Sequence, residues 1–146
     1  MSIDQLLERV LLVGLLSFQT QIHAETKDDW VFVGKDNAGS AYISQKSIQR
    51  ENDMVLVRTV LNIPETSNII GVSSRAKSLV SIMAIDCQRW MGVIGDPFQY
   101  DRPFGEGVLL LSTTGYKNLS ESEIQPIDPK HLLHKVAKSV CGKSGK

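Results

Sequence analysis

Short apolar segments alternate with polar turns between residues 29 and 112, and these segments are rich in β-branched and aromatic side chains. DWVFVG at residues 29–34 is followed by the turn residues KDNAGS and then by AYIS, a pattern typical of a β-hairpin. MVLVRTVLNI at residues 54–63 follows another polar turn and ends before Pro64, which cannot donate a hydrogen bond to a sheet. The patterns predict strands rather than helices in this part of the chain.

KSLVSIMAIDC at residues 77–87 predicts the central strand of the sheet. Both sets of its alternate positions are largely apolar: Leu79, Ser81, Met83, Ile85 and Cys87 form one set, and Val80, Ile82 and Ala84 form the other. A strand with two apolar faces is buried on both sides. We expect the sheet to continue through residues 90–100, with a bulge or bend where glycine and proline interrupt that segment. EGVLLLS at residues 106–112 predicts the last strand.

DPKHLLHKVAKSVCG at residues 128–142 predicts a helix. Asp128 suits the N-cap, Pro129 suits the first helical position, and Gly142 lies where a helix end favours a residue with positive φ. One apolar stripe runs along it at three- and four-residue spacing: Leu132, Leu133, Val136, Ala137, Val140 and Cys141. The elements together predict an α+β fold, in which an antiparallel sheet of about five to six strands packs against one C-terminal helix.

The first 24 residues differ from the rest of the chain. An apolar run of nine residues, VLLVGLLSF, precedes the polar QTQ and then IHA, which fits a signal-peptidase cleavage site after Ala24. Nine residues are about half of the ~20 that span a bilayer, so a transmembrane helix is the weaker interpretation. We therefore expect residues 1–24 to be a secretory signal peptide and residues 25–146 to form one domain. Asp4 and Glu8, against Arg9 alone, are unusual in such a signal.

The chain has two cysteines, Cys87 at the end of the central strand and Cys141 on the apolar stripe of the helix. In an exported protein an even number of cysteines normally forms disulfides, whereas in a cytosolic protein they would more often be free thiols. Export therefore predicts a Cys87–Cys141 disulfide that joins the helix to the sheet. Two buried, unpaired thiols are the alternative if the chain is not exported.

The composition is that of an ordinary globular domain. Of 146 residues, 42% are hydrophobic, and the 16 basic residues balance the 16 acidic ones. A neutral chain gives no indication that it binds nucleic acid or an acidic membrane surface. After removal of the signal peptide we expect no integral membrane segment.

No catalytic motif is recognisable: the chain has no GxSxG elbow, no HExxH and no GxGxxG after a strand. His131 and His134 are three residues apart on the helix, but the neighbouring lysines repel a cation, so we expect both to be solvated surface residues. Asp86 and Asp101 lie near strand ends, where structural hydrogen bonding is the simplest role. We therefore expect no catalytic residues, no metal site and no cofactor.

PETSNIIGVSS at residues 64–74 is a loop of turn-forming residues with an apolar tip. The tip consists of Ile69, Ile70 and Val72, and two basic residues follow it, Arg75 and Lys77, which we expect on one face of the strand start. An apolar, basic loop suits contact with a protein partner, so these five residues are the candidate partner-binding residues. The simpler interpretation is a solvated strand end whose charges discourage pairing with other strands. The sequence leaves both open.

Five segments of the chain resemble the surface-adhesin protein E family, which consists of small exported bacterial proteins. They are DWVFVG near the mature start, YISQKSI at residues 42–48, KSLVSIMAIDC, YDRPFGEG at residues 100–107, and LLHKVAKSVC at residues 132–141. The resemblance covers residues 30–141. The resemblance implies an antiparallel sheet with a C-terminal helix joined to it by a disulfide, in agreement with the patterns above.

The resemblance also implies a non-enzymatic binding protein whose partner is a protein or an envelope component, such as a host extracellular-matrix protein. No cysteine precedes Cys87, so the signal peptide would not end at a lipid-anchoring cysteine, and we expect a periplasmic or secreted protein. The alternative function is a periplasmic inhibitor of an exported hydrolase, which would present the loop at residues 62–74.

Overall fold

The structure, a computed structural model, describes residues 29–65, 67–111 and 123–142. These residues form one nine-stranded sheet and one α-helix. The strands are β1 (Trp30–Lys35), β2 (Ser40–Ser44), β3 (Gln49–Glu51), β4 (Met54–Asn62), β5 (Ser78–Asp86), β6 (Met91–Ile94), β7 (Phe98–Tyr100), β8 (Leu109–Leu111) and β9 (Gln125–Pro126), and the helix is α1 (Leu132–Cys141). The predicted signal peptide lies outside the described residues.

The sheet is antiparallel, and its main path runs β1-β2-β4-β5-β6-β9. The predicted hairpin is confirmed as β1 and β2, which pair from Trp30 opposite Ser44 to Lys35 opposite Ser40. β4 and β5 have nine residues each and pair along their whole length. β5 also pairs with β6 and β7 on its other side, so its predicted central position is confirmed.

Three short strands extend the sheet beside its main path. β3 pairs with β4, while β7 pairs with the start of β5 and with β8. The predicted bend at residues 90–100 is the point where the chain leaves β6, which pairs with the end of β5, and enters β7. The expectation that EGVLLLS is the last strand was wrong, because β9 follows it and pairs with β6.

The helix α1 packs on one face of the sheet and buries Leu133, Val136, Ala137 and Val140. These side chains join the sheet residues Ile43, Val55, Val57, Met83 and Ile85 in the main hydrophobic core. The predicted apolar stripe is therefore confirmed, with Cys141 half-buried at its end. The part of the chain that the structure describes contains no helix long and apolar enough to cross a membrane.

The N-terminus of α1 differs from the prediction. His131, not Asp128, is the N-cap, and its Nδ1 accepts a hydrogen bond from the Leu133 N–H at 3.2 Å. Asp128 instead accepts from the Lys130 N–H at 2.8 Å in a separate turn before the helix. The helix end is as predicted, because Gly142 has a φ of 75°.

A disulfide joins Cys87 and Cys141, with their Cα atoms 5.5 Å apart. Cys87 follows the last residue of β5, and its N–H donates to the Asp53 carbonyl at 2.8 Å. Cys141 is the last residue of α1. The predicted disulfide is therefore confirmed, and it connects the end of the central strand to the end of the helix.

The opposite face of the sheet carries a second apolar cluster. Its buried members are Trp30, Val60 and Val80, and Tyr42, Phe98, Tyr100 and Phe104 pack against them. The Phe104 ring meets the Tyr42 ring edge to face, with centroids 4.9 Å apart. The short 3-10 turn Pro103–Gly105 thus closes over this face, and β5 is buried on both sides as its sequence predicts.

Candidate functional site

All five candidate partner-binding residues lie in the connection between β4 and β5, which we call the 63–77 loop. Its ends are fixed to each other and to the sheet. The Ile63 N–H donates to the Lys77 carbonyl at 2.9 Å, and the Lys77 N–H donates to the Tyr100 carbonyl of β7 at 2.8 Å. The loop therefore projects from a closed base at one end of the two longest strands. Residue 66 lies outside the described residues.

Three hydrogen-bonded turns are present among the described residues of the 63–77 loop. They are closed by Ser67 N–H to Pro64 O at 3.0 Å, Val72 N–H to Ile69 O at 3.1 Å, and Ala76 N–H to Ser73 O at 2.9 Å. In the middle turn, Gly71 is the third of four residues and has a φ of 78°. Type II turns need a positive φ at this position, and glycine adopts it without strain. The turn places Ile70 at the tip, where its side chain is fully exposed.

The other candidate residues are less exposed than Ile70, apart from Arg75. Ile69, Val72 and Lys77 are half-buried, whereas Arg75 is exposed. The sequence predicted Arg75 and Lys77 on one face because alternate residues of a strand share a face. In the structure β5 begins only at Ser78, so neither residue belongs to that strand. The structure brings the five residues together in one loop and leaves Ile70 and Arg75 most open to solvent.

The two basic residues of the loop differ in their partners. Lys77 Nζ lies 3.3 Å from Glu65 Oε1, and the Glu65 side chain is almost fully exposed. A surface ion pair of this kind contributes at most about 1 kcal/mol. Among the described residues the Arg75 guanidinium makes no ion pair. Arg75 is therefore the positive charge of the loop that is open to an acidic partner.

A shallow pocket of about 200 Å³ lies within the loop. Loop residues alone line it, among them the apolar Ile63, Pro64, Ile69, Val72 and Ala76. Pockets that enclose small-molecule ligands usually have volumes of about 300–1,000 Å³. The smaller volume suits a single inserted side chain better than an enclosed substrate.

Gln99 of β7 contacts the loop and was not found by sequence reasoning. Its side chain is buried, with 2% exposed. It donates from Nε2 to the Gly71 carbonyl at 3.0 Å and accepts at Oε1 from the Ser73 N–H at 2.8 Å. The sequence contains one indication of its role, which is that a glutamine lies inside the mostly apolar segment that forms β6 and β7.

Asp86 and Asp101 make structural hydrogen bonds, as predicted. Asp86 Oδ1 accepts from the N–H groups of Gln88 and Arg89, and Asp86 Oδ2 lies 2.6 Å from Arg89 Nε. Burial raises the pKa of Asp86, but the hydrogen bonds and charge of Arg89, with the Gln88 N–H, outweigh it and lower this pKa below its ordinary value. Asp101 Oδ1 accepts from the Val108 N–H at 2.7 Å. Both carboxylates stabilise turns.

The two helix histidines have structural partners. Besides the capping His131, His134 accepts at Nδ1 from Trp90 Nε1–H at 3.3 Å, and the two rings meet edge to face. The expectation of two solvated histidines was therefore wrong for His134, which is half-buried. In the described ranges, no three histidine, cysteine, aspartate or glutamate side chains come together as metal ligands do.

Comparison with known proteins finds one family. The model of the surface-adhesin protein E family matches residues 30–142. A crystal structure of Haemophilus influenzae protein E superposes with a TM-score of 0.60 at 19% identity, covering 84% of this chain and 94% of that chain. Protein E from non-typeable Haemophilus influenzae gives a TM-score of 0.54 at 17% identity, covering 80% and 78%.

No curated protein sequence matches the chain. At these identities the structural likeness concerns the fold alone. The family match, in contrast, covers most of the chain and confirms the resemblance seen in its sequence segments.

Proposed function

Because the chain belongs to the surface-adhesin protein E family, we propose that it is an exported, non-enzymatic binding protein of the periplasm or the cell exterior. Its partner is a protein, either of the host extracellular matrix or of the bacterial envelope. The 63–77 loop contacts this partner through Ile70 and Arg75, with Ile69, Val72 and Lys77 beside them. Membership of a surface-adhesin family supports both export and a protein partner.

The observation that carries the proposal is the complete exposure of Ile70 at the tip of a hydrogen-bonded turn. An isoleucine held out in water gains about 1.5–3 kcal/mol when a partner buries it. Apolar side chains at the centre of a contact contribute more binding energy than those at its margin. Arg75 adds a charge that favours an acidic group on the partner.

Serine replacement at the loop tip tests the proposal. The mature protein would be immobilised, and its capture of purified vitronectin and laminin and of envelope proteins would be measured. Ile70→Ser should weaken capture of the partner at least about tenfold, since it removes the exposed apolar group. Ile69 is half-buried, so replacing it together with Ile70 could also destabilise the loop. The single Ile70 variant therefore distinguishes an effect on partner binding from an effect on folding.

Ile94→Ser is the matched control. Ile94 is a second exposed isoleucine, with 38% of its surface open to solvent, and it belongs to β6, which pairs with the end of β5 far from the loop. This variant should bind like the native protein. Equal capture by the folded Ile70→Ser variant would contradict the proposed surface. Recovery of an exported hydrolase, with loss of its activity in the complex, would instead favour the inhibitor function.

A further inference from the structure

Gln99 occupies a position where glutamine is uncommon. It lies at the centre of β7, opposite the buried Leu79 of β5, and is 2% exposed. Glutamine is mostly found on protein surfaces, and a buried amide is costly unless its polar atoms are hydrogen-bonded. Both ends of the Gln99 amide meet this requirement through one short stretch of the 63–77 loop.

The two hydrogen bonds to the loop require one donor and one acceptor on the Gln99 side chain. Gly71 offers a carbonyl and Ser73 offers an N–H, and the Gln99 amide matches them with Nε2 at 3.0 Å and Oε1 at 2.8 Å. A neutral amide supplies both functions at once, whereas an ionised carboxylate accepts but cannot donate. The side chain thereby supplies hydrogen-bond partners to two backbone groups of the loop and links them to β7.

These two bonds fix the turn that exposes Ile70. Gly71 belongs to the turn closed by the Val72 N–H and the Ile69 carbonyl, and Ser73 begins the next turn, closed by the Ala76 N–H. Gln99 therefore holds the junction of two turns against the sheet. A loop fixed in this way meets its partner without first losing conformational freedom.

We infer that Gln99 is the positioning residue of the 63–77 loop, and that the loop is ordered in its binding conformation before a partner arrives. The part that concerns binding rests on the proposed function. The part that concerns loop order is independent of it. The conformation in which the loop binds then depends on a buried residue that does not touch the partner.

Hydrogen exchange of the Ser73 amide in the free protein tests the inference directly. Gln99→Met keeps the apolar volume but removes both hydrogen bonds, so protection of the Ser73 amide should fall about tenfold to a hundredfold, while amides in the middle of β4 and β5 keep theirs. Thr59→Val is the matched control. It removes another buried hydrogen-bonding side chain, the Thr59 hydroxyl that donates to the Ser81 carbonyl at 3.3 Å, and should leave Ser73 unaffected.

Gln99→Glu makes the protection of the Ser73 amide depend on pH, which would not happen if Gln99 only filled space in the core. At pH 7 its carboxylate would face the Gly71 carbonyl without a proton. The repulsion between the two oxygens and the cost of burying a charge should drive the side chain out of the site, so the Ser73 N–H should lose its acceptor and its protection. Near pH 4 the protonated acid can donate to Gly71 and accept from Ser73, and protection should return toward the native value measured at the same pH. Gln99→Met should show no such return.

Uniform loss of protection across the sheet in Gln99→Met, or no recovery of Gln99→Glu on acidification, would overturn the inference. Capture of vitronectin and laminin by the same variants separates it from the proposed function. Lost Ser73 protection with weaker capture supports both. Lost protection with unchanged capture leaves Gln99 as the positioning residue but shows that the loop does not contact those probes.

Discussion

Removal of the Cys87–Cys141 disulfide should destabilise the domain strongly without changing what it binds. The perturbation is replacement of both cysteines by serine. The bridge joins residues 54 positions apart, and in the chain-entropy model closing a loop of that length restricts the unfolded chain by about 4 kcal/mol at 25 °C. The free energy of unfolding should fall by roughly this amount, which is a large share of the stability of a small domain.

The structure indicates which parts of the fold would survive. The helix α1 keeps its buried contacts with the sheet through Leu133, Val136, Ala137 and Val140, so the variant should still fold at low temperature. The disulfide lies beyond the end of β5, and the 63–77 loop lies before its start, so the bridge and the loop are at opposite ends of this strand. The folded variant should therefore capture the same partner as the native protein.

Thermal unfolding with and without reductant measures the effect. Reductant should lower the melting temperature of the native protein by about 10–20 °C and have no effect on the double-serine variant. Thiol labelling of the denatured, unreduced native protein should find no free cysteine. Two labelled thiols would show that the disulfide is absent, and a native melting temperature that does not respond to reductant would show that it does not stabilise the fold.

Two further predictions concern Asp86 and the N-terminus. Burial alone would raise the pKa of Asp86, but hydrogen bonds from Arg89 lower it. The ionised carboxylate therefore contributes stability that is complete above its ordinary pKa of 3.8 and is lost as the pH falls from there through the lowered pKa of the folded state. Asp86→Asn should therefore destabilise by about 1–2 kcal/mol at pH 7 and less at pH 3, which urea unfolding would check; a pH-independent difference would count against it. Mass spectrometry of the exported protein should find Glu25 as its first residue, and retention of Met1 would disprove cleavage after Ala24.

The parts of the fold that were predicted from the sequence are those with a long local pattern. β4, β5 and the stripe of α1 repeat their apolar positions often enough to be recognised. β3 and β9 have three and two residues, which are too few to show a periodic pattern of apolar positions. They form strands because they pair with β4 and β6. The helix start was misplaced because Asp128 and Pro129 have the right residue types, although they form a separate turn that ends at the capping His131.

The candidate site was partly predictable for a similar reason. Its five candidate residues lie within nine positions of the sequence, so their composition alone indicated an apolar, basic loop. Gln99 is 26 positions from Ser73, and their contact depends on the pairing of β7 with the start of β5. A local pattern does not contain that information, because strand pairing is decided by the whole sheet.

Crosslinking would show directly whether the tip of the 63–77 loop touches the partner. A photoreactive amino acid would replace Ile70 in one protein and Ile94 in another, and both would be irradiated with vitronectin, laminin or the intact envelope. We expect a specific covalent complex from position 70 that position 94 does not form. The same complexes from both positions, or a partner captured by the native protein yet never crosslinked at position 70, would contradict it.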